Sequence, residues 1–359
     1  MKKSDILTTT AASDNAVLPS RRKFICGCCS AVPALSLAGS GLLASFALTG
    51  CDSGKQGAGT VGSTAGDAPQ PEGLETVKLA YLPITHALPL FAAKELAEQG
   101  KIKPRVNVEL VKFSSWPELT DALNTGRVDG ASILIELALK AREQGIDLKA
   151  VALGHHDGNV VIAKPEINSA EDFKGKTFAI PHRISSHNIL LQQMLSNAGM
   201  SLADVNVVEL PPPEMPSALA QGTIDGYCVA EPFGAKAVTL GVGKVLFNSD
   251  ALWKNSFCCG LVLNNAFITA RLETAKRLTA QYEEAGNLLG SDPATPFNIA
   301  KKYLTVDDAT LKQSLEWVSY NDLAISKESY DVLTEKMVRF DLTGNPPTYE
   351  DFVAKDLST

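Results

Sequence analysis

Positive charge is in short supply in this sequence: 33 lysines and arginines face 40 aspartates and glutamates, a formal net charge of −7 over 359 residues. Such a balance offers no basic face, which argues against nucleic acid as the main partner and requires any bound anion to be held by local geometry. Catalytic signatures are missing as well. There is no G-x-S-x-G, no G-x-G-x-x-G after a strand, no Walker loop, no H-E-x-x-H and, past Cys51, no C-x-x-C. Enzyme activity is therefore not expected, and no cofactor or metal is assigned. Beyond Cys51 only Cys228, Cys258 and Cys259 remain. An odd number with one adjacent pair is no disulfide framework, because neighbouring cysteines bridge only through a strained ring, so these three read as small buried apolar side chains. With 45% hydrophobic and 20% charged residues, the chain is neither disordered nor collagenous, and its length suggests about two domains.

Long apolar stretches are confined to the amino terminus. Ser20-Arg21-Arg22-Lys23-Phe24-Ile25 precedes an apolar run from Ala31 to Gly50. A basic region followed by such a run reads as an export signal over 1–50, and the paired arginines match the twin-arginine type. The alternative is a transmembrane anchor, since about 20 apolar residues span a bilayer. Leu48-Thr49-Gly50-Cys51 decides against it, because it resembles a lipobox, in which cleavage leaves the cysteine as a lipidated terminus. Cys51 is thus the expected lipidation site and membrane anchor. Residues 51–74, rich in Gly, Ser, Ala and Pro, read as a flexible tether.

The folded part contains an internal repeat. Val106-Asn107-Val108-Glu109-Leu110 recurs as Val205-Asn206-Val207-Val208-Glu209-Leu210, and Asn124-Thr125-Gly126-Arg127-Val128-Asp129-Gly130 recurs as Ala220-Gln221-Gly222-Thr223-Ile224-Asp225-Gly226. Gly126 and Gly222 fall where a helix ends in a left-handed cap, and the Asp-Gly that follows opens a buried strand. Each copy begins with an apolar strand, Val77 to Leu82 or Thr177 to Ile180, and continues into a helix at a hydroxyl-histidine pair, Thr85-His86 or Ser186-His187. Alternating strands and helices, twice over, predict two similar α/β lobes, each with a mainly parallel sheet. The expected lobes are 75–158 with 256–359, and 159–255. Leu148 to Leu153 and Asn159 to Ala163 lead out of the first lobe, and Val245 to Phe247 and Cys259 to Leu263 lead back. Helices are expected at Ala270 to Leu289, Pro296 to Leu304, Asp307 to Val318 and Lys327 to Phe340, forming a carboxyl-terminal helical region on the first lobe.

Ligands of such sheets bind beyond the carboxyl ends of the strands, in the cleft between lobes. The loops there carry Thr85 and His86, then Ser114, Ser115 and Trp116, then His155, His156 and Asn159, then Arg183, Ser186 and His187. Ser115-Trp116-Pro117-Glu118 has capping-box spacing, and Ser186 is a natural N-cap. Each hydroxyl by itself is best read as capping its own helix. Several helix starts converging on one cleft would instead favour a small anion. All five histidines fall between residues 86 and 187. If His86 and His187 flank an anion, its binding should strengthen as pH falls through about 6.5, whereas a divalent metal should show the opposite slope.

Taken together, the lipoprotein signal, the tether, the two lobes, the Asp-Gly strand openings and Tyr227-Cys228-Val229-Ala230-Glu231-Pro232-Phe233 resemble the substrate-binding proteins of nitrate/sulfonate/bicarbonate-type ABC importers. The resemblance covers roughly Glu75 to Phe340 and implies a type II periplasmic-binding-protein fold: two α/β lobes, a hinge, and helices on the first lobe. It also implies a monomeric extracytoplasmic receptor that closes on a small anion or related solute and passes it to an ABC permease and ATPase. Thr85, Trp116, Asn159 and His187 occupy positions that the nitrate and bicarbonate branch uses, Glu231-Pro232 matches the family's Glu-Pro, and Cys259 stands where nitrate-binding members have a lysine. The expected ligand-binding set is Thr85, His86, Ser115, Trp116, His156, Asn159, Arg183, Ser186, His187, Glu231 and Cys259. Two alternatives stay open: a metal or metal-chelate receptor using the histidines with Asp157 and Glu231, and a pyrimidine-precursor (thiamine-type) binding protein or enzyme.

Overall fold

The computed structural model describes residues 73–357. The export signal, the Cys51 lipidation site and nearly all of the tether lie outside the described residues. Among the described residues, no helix is long and apolar enough to cross a membrane.

Two five-stranded sheets carry the fold. The first has the order β2 (Asn107–Lys112), β1 (Thr76–Tyr81), β3 (Gly130–Leu134), β11 (Cys259–Asn264), β4 (Leu148–Leu153), and the second runs β8 (Asn206–Glu209), β7 (Thr177–Ile180), β9 (Gly226–Ala230), β6 (Asn159–Ala163), β10 (Lys244–Asn248). The two orders correspond strand for strand. In each sheet the first three strands pair in parallel, and the fourth is an antiparallel strand that arrives from the other half of the chain. Those arrivals make the double crossover that divides the chain into two lobes. The repeat explains the correspondence physically. The Asp129 carboxylate accepts from the Lys78 backbone N–H (2.8 Å), and the Asp225 carboxylate accepts from the Thr177 N–H (2.9 Å), so each aspartate pins the start of its lobe's first strand. Gly126 and Gly222 adopt φ of 70° and 74°, the left-handed caps that the sequence predicts.

The glycine after each aspartate has a packing reason. A Cβ on Gly226 would sit 2.6 Å from the Phe173 ring and 2.8 Å from the Ile162 carbonyl oxygen, and backbone cannot move aside as a side chain can. Gly226→Ala is accordingly expected to cost about 1–3 kcal/mol, the usual penalty for overpacking a core. Urea unfolding of the two proteins measures it, and an unchanged midpoint would show that the second sheet tolerates the added methyl.

Beyond the lobes, the helix expected at Ala270 to Leu289 runs Leu272–Ser291, and a further short helix, Asn265–Ala270, precedes it, the two being separated at Arg271. Arg271 takes φ −139°, and its guanidinium donates to Glu75 and to the Thr76 carbonyl, which draws the chain out of helical register. A short ribbon was not foreseen either. β5 (His156–Asp157) pairs antiparallel with β12 (Val318–Ser319), strapping the hinge to the carboxyl-terminal helices. Just past β12, the Tyr320 hydroxyl donates to the Thr85 carbonyl (3.0 Å), and from Leu272–Ser291 the Tyr282 hydroxyl donates to the Leu153 carbonyl (3.1 Å). These phenols fix the loops that carry the histidines described next.

Candidate functional site

The carboxyl ends of the first sheet bring four side chains together. His86 follows β1 in a short turn (Thr85–Ala87), His155 follows β4, and Cys258 and Cys259 lead into β11. All four are buried, and one ligand atom from each lies within 4.8 Å of every other. The His86 and His155 rings stack with centroids 3.4 Å apart. Cys258 Sγ is 3.3 Å from His86 Nδ1 and 3.6 Å from Cys259 Sγ. Each imidazole is oriented from behind by a carbonyl: His86 Nε2–H donates to Gly158 O (2.9 Å), and His155 Nδ1–H donates to Asp157 O (2.7 Å). Those carbonyls are presented by a tight turn in which Asp157 and Gly158 take φ of 56° and 75°.

Around this cluster stand polar groups that the fold leaves unmet. Both nitrogens of His187, the Ser186 hydroxyl, the Asn159 amide nitrogen and both carboxyl oxygens of Glu136 are buried without a hydrogen-bond partner. Asn159 Oδ1 lies 3.8 Å from Cys258 Sγ. Glu136 belongs to α3 (Ile135–Glu143) of the first lobe, while Ser186 and His187 open α4 (Ser186–Asn197) of the second. Burial holds His187 down to about 4, with the nearby Cys258 charge opposing and His86 adding to the effect. His155 is held to about 4 by burial and by its His86 neighbour. Burial, aided by the negative charge of Cys258, pushes the Glu136 carboxyl well above its usual range. For Cys258 burial acts upward, but the Cys259 thiol and the two imidazoles outweigh it and hold the thiol well below its ordinary value.

Several sequence-predicted residues lie elsewhere or act differently. Arg183 is exposed, its backbone N–H donating to Glu209 and its guanidinium to the Val207 carbonyl (3.4 Å), so it brings no charge to the cavity. His156 opens β5 just after His155, and its Nε2 donates to the Asp322 carbonyl (2.7 Å). Thr85 spends its hydroxyl and its N–H on the Glu231 carbonyl (3.0 and 2.9 Å), joining the lobes without leaving a group for a ligand. Glu231 caps the next helix by accepting from Ala235 N–H (3.1 Å), and burial pushes its carboxyl up to about 8. Ser115 precedes α2 (Trp116–Asn124) but makes no side-chain cap, because Glu118 accepts instead from Ser114 (3.3 Å). The N-cap of α4 is Ser185, whose hydroxyl accepts from Asn188 N–H (3.2 Å), which shifts Ser186 one place into the helix and leaves its hydroxyl unmet. His86, Asn159, Ser186, His187 and Cys259 carry buried polar atoms at or near the cluster, and Trp116 is buried on α2 with its indole nitrogen unpartnered. Sequence reasoning placed His155 in a cleft loop but left it out of the ligand set, and it missed Cys258 and Glu136. The signal for Glu136 was a lone acid inside the apolar run Ala131 to Ala141, since an unpaired acid is seldom fully buried.

A family model described as NMT1-like matches residues 70–303. The chain belongs to the NMT1-like family. This NMT1-like protein is similar to the solved zinc-bound ligand-binding component of an ABC-type import system from Staphylococcus aureus, at 39% identity and a TM-score of 0.75, over 79% of this chain and 97% of that one. The periplasmic nitrate-binding protein NrtA of Synechocystis shares the fold at 19% identity and a TM-score of 0.70, over 79% of this chain and 87% of that one. The fold is that of the periplasmic binding proteins. The nitrate import ATP-binding protein NrtC of Synechocystis is 30% identical over 50% of this chain, which spans only 30% of the length of that relative.

Proposed function

We propose that this NMT1-like protein is an extracytoplasmic solute-binding receptor of an ABC importer, tethered through a lipid on Cys51, and that it delivers its solute to a permease and ATPase as a monomer. What carries the reading is the set of buried, unpartnered polar atoms contributed by both lobes, Glu136 from one and Asn159, Ser186 and His187 from the other. Each such group costs free energy unless something bound between the lobes satisfies it. A solute that meets groups from both sides stabilises the closed arrangement over an open one, which is how hinge closure couples to binding. This is the work of a binding protein, and the kinship with an import-system component supports it.

An inorganic anion, the solute class that the nitrate-binding relative suggests, meets unfavourable electrostatics here. No lysine or arginine is buried among the described residues, and the start of α4 is already faced by the Glu136 carboxyl. Of the two histidines expected to flank an anion, His187 is held neutral down to about 4 by burial and so brings no positive charge at ordinary pH. The zinc in the Staphylococcus aureus relative supports a second reading of the same receptor, in which the solute is a metal cation or carries one. Calorimetric titration of metal-free protein lacking residues 1–51 with nitrate, an alkanesulfonate, a thiamine-precursor-like heterocycle and zinc discriminates these. Zinc is expected to bind and nitrate to bind weakly. A panel in which nothing bound more tightly than millimolar would sink the receptor reading.

A further inference from the structure

We infer that His86, His155, Cys258 and Cys259 are the four donors of a tetrahedral site for a thiolate-seeking d10 cation, zinc(II) or copper(I), and that this cation is the captured solute. The inference rests on the receptor reading and names its cargo. The spacing of the donors is the starting point. Zinc–sulfur and zinc–nitrogen bonds of about 2.3 and 2.0–2.1 Å at tetrahedral angles place sulfur about 3.8 Å from sulfur and about 3.5 Å from nitrogen. Cys258 Sγ lies 3.6 Å from Cys259 Sγ and 3.3 Å from His86 Nδ1, so two edges of that polyhedron already stand near their required length.

The imidazoles are prepared for the task. The Gly158 and Asp157 carbonyls each take an N–H, fixing the proton on His86 Nε2 and His155 Nδ1 and leaving His86 Nδ1 and His155 Nε2 as lone-pair donors toward the thiols. An orienting carbonyl behind each ring is the arrangement that metal-binding histidines use. At present the Cys259 N–H occupies His155 Nε2 (3.2 Å), the place a cation would take. Two rings stacked at 3.4 Å cannot both carry a proton charge, and a neutral imidazole is the ligating form.

A purely structural account of these side chains leaves too much unexplained. Buried cysteines ordinarily sit among apolar groups, as Cys228 does, its thiol pushed upward by burial. Here two thiols face two stacked imidazoles, with the neutral-leaning Glu136 and the unmet Asn159 and His187 beside them. Four protein donors also fill a tetrahedron, leaving no open position through which the metal would hold a further ligand or activate water. The cation itself is therefore what is held. All four donors stand on the first lobe, so the site exists before closure, and Asn159 and His187 of the second lobe bring N–H groups that the metal-bound thiolates can accept from, which couples closure to the cation.

The test uses the receptor lacking residues 1–51, stripped of metal and kept reduced. Zinc chloride, and copper(I) under anaerobic conditions, are titrated against a competing chromophoric chelator, and cobalt(II) serves as a spectroscopic probe. One equivalent of zinc or copper(I) is expected to bind, and cobalt should show the thiolate-to-metal charge-transfer band. Cys258→Ser and Cys259→Ser should each weaken the band, the remaining thiolate keeping part of it, and weaken binding by more than about a hundredfold, since even an outer partner of a ligand is worth about 10- to 100-fold. Because a buried serine can compromise folding, each variant's melting is measured alongside. His155→Gln, which keeps a polar group at similar reach, supplies the same readout if a serine variant unfolds. Binding that survives all three substitutions, or a cobalt spectrum without thiolate character, overturns the donor set. If neither cation binds while an organic or anionic member of the panel does, the cation inference falls and the receptor reading stands. If nothing binds, both fall.

Discussion

Metal-free protein should lose about 2 kcal/mol of unfolding free energy between pH 6.5 and 8, counting the Glu231 carboxyl alone. Burial raises that carboxyl from 4.5 to about 8, so the folded chain keeps a proton that the unfolded chain releases. Its stabilising contribution is complete below 4.5 and is lost as pH rises through 8. His155 and His187 act in the other direction. Their imidazoles are lowered from 6.5 to about 4, so their contribution is present above 6.5 and fades as pH falls through about 4. Between 4.5 and 6.5 the histidines therefore oppose the carboxyls, and above 6.5 the Cys258 thiol, held below its ordinary value of 9.0, opposes them instead. Glu136 adds a loss of the same sign as pH rises. Urea unfolding at pH 6.5 and at pH 8 measures the difference, and Glu231→Gln should remove much of it. A pH dependence that is the same in wild type and Glu231→Gln would contradict the burial of a neutral carboxyl at Glu231, because the Cys258 thiol contributes equally to both.

Periodicity and repeats made the scaffold legible from sequence. The strands Leu148–Leu153, Asn159–Ala163 and Thr177–Ile180 have the bounds that their apolar runs suggest, and the glycine-aspartate-glycine pattern carries one backbone solution used twice. These are local signals, each written in a few consecutive residues. The site was legible only in part because it is assembled from loops far apart in the chain. His155 and His156 are adjacent, and which one turns inward depends on the register of a two-residue strand pairing with Val318–Ser319, more than 150 residues away. Disulfide arithmetic explained Cys258 and Cys259 as fillers because it asks only whether thiols can pair with each other. It does not ask what else stands within 4.8 Å. Arg183 shows the converse error: a loop position beside a cleft does not decide which side of the loop a long cation takes, and here the strand at Val207 to Glu209 draws it outward.

The same structure implies that binding competence is held at the expense of stability, and His187 is where this should be most visible. His187→Leu is expected to raise the unfolding free energy of the empty protein by about 1–3 kcal/mol, the cost of a buried polar group left without a partner. Both ring nitrogens are buried and unpartnered, and the ring stays neutral, so the wild-type side chain contributes little there beyond its volume. Leucine supplies apolar volume without the unmet nitrogens. Solute affinity should fall at least tenfold, which corresponds to about 1.4 kcal/mol of lost interaction. Opposite signs in the two measurements are the mark of a residue retained for function against stability. A histidine serving the core alone would give the reverse, with lower stability and unaltered binding. Ser186→Ala is a milder version of the same experiment, since its hydroxyl is also buried and unmet beside Glu136. If both substitutions destabilise the empty protein, the unpartnered atoms at the start of α4 are not waiting for a solute.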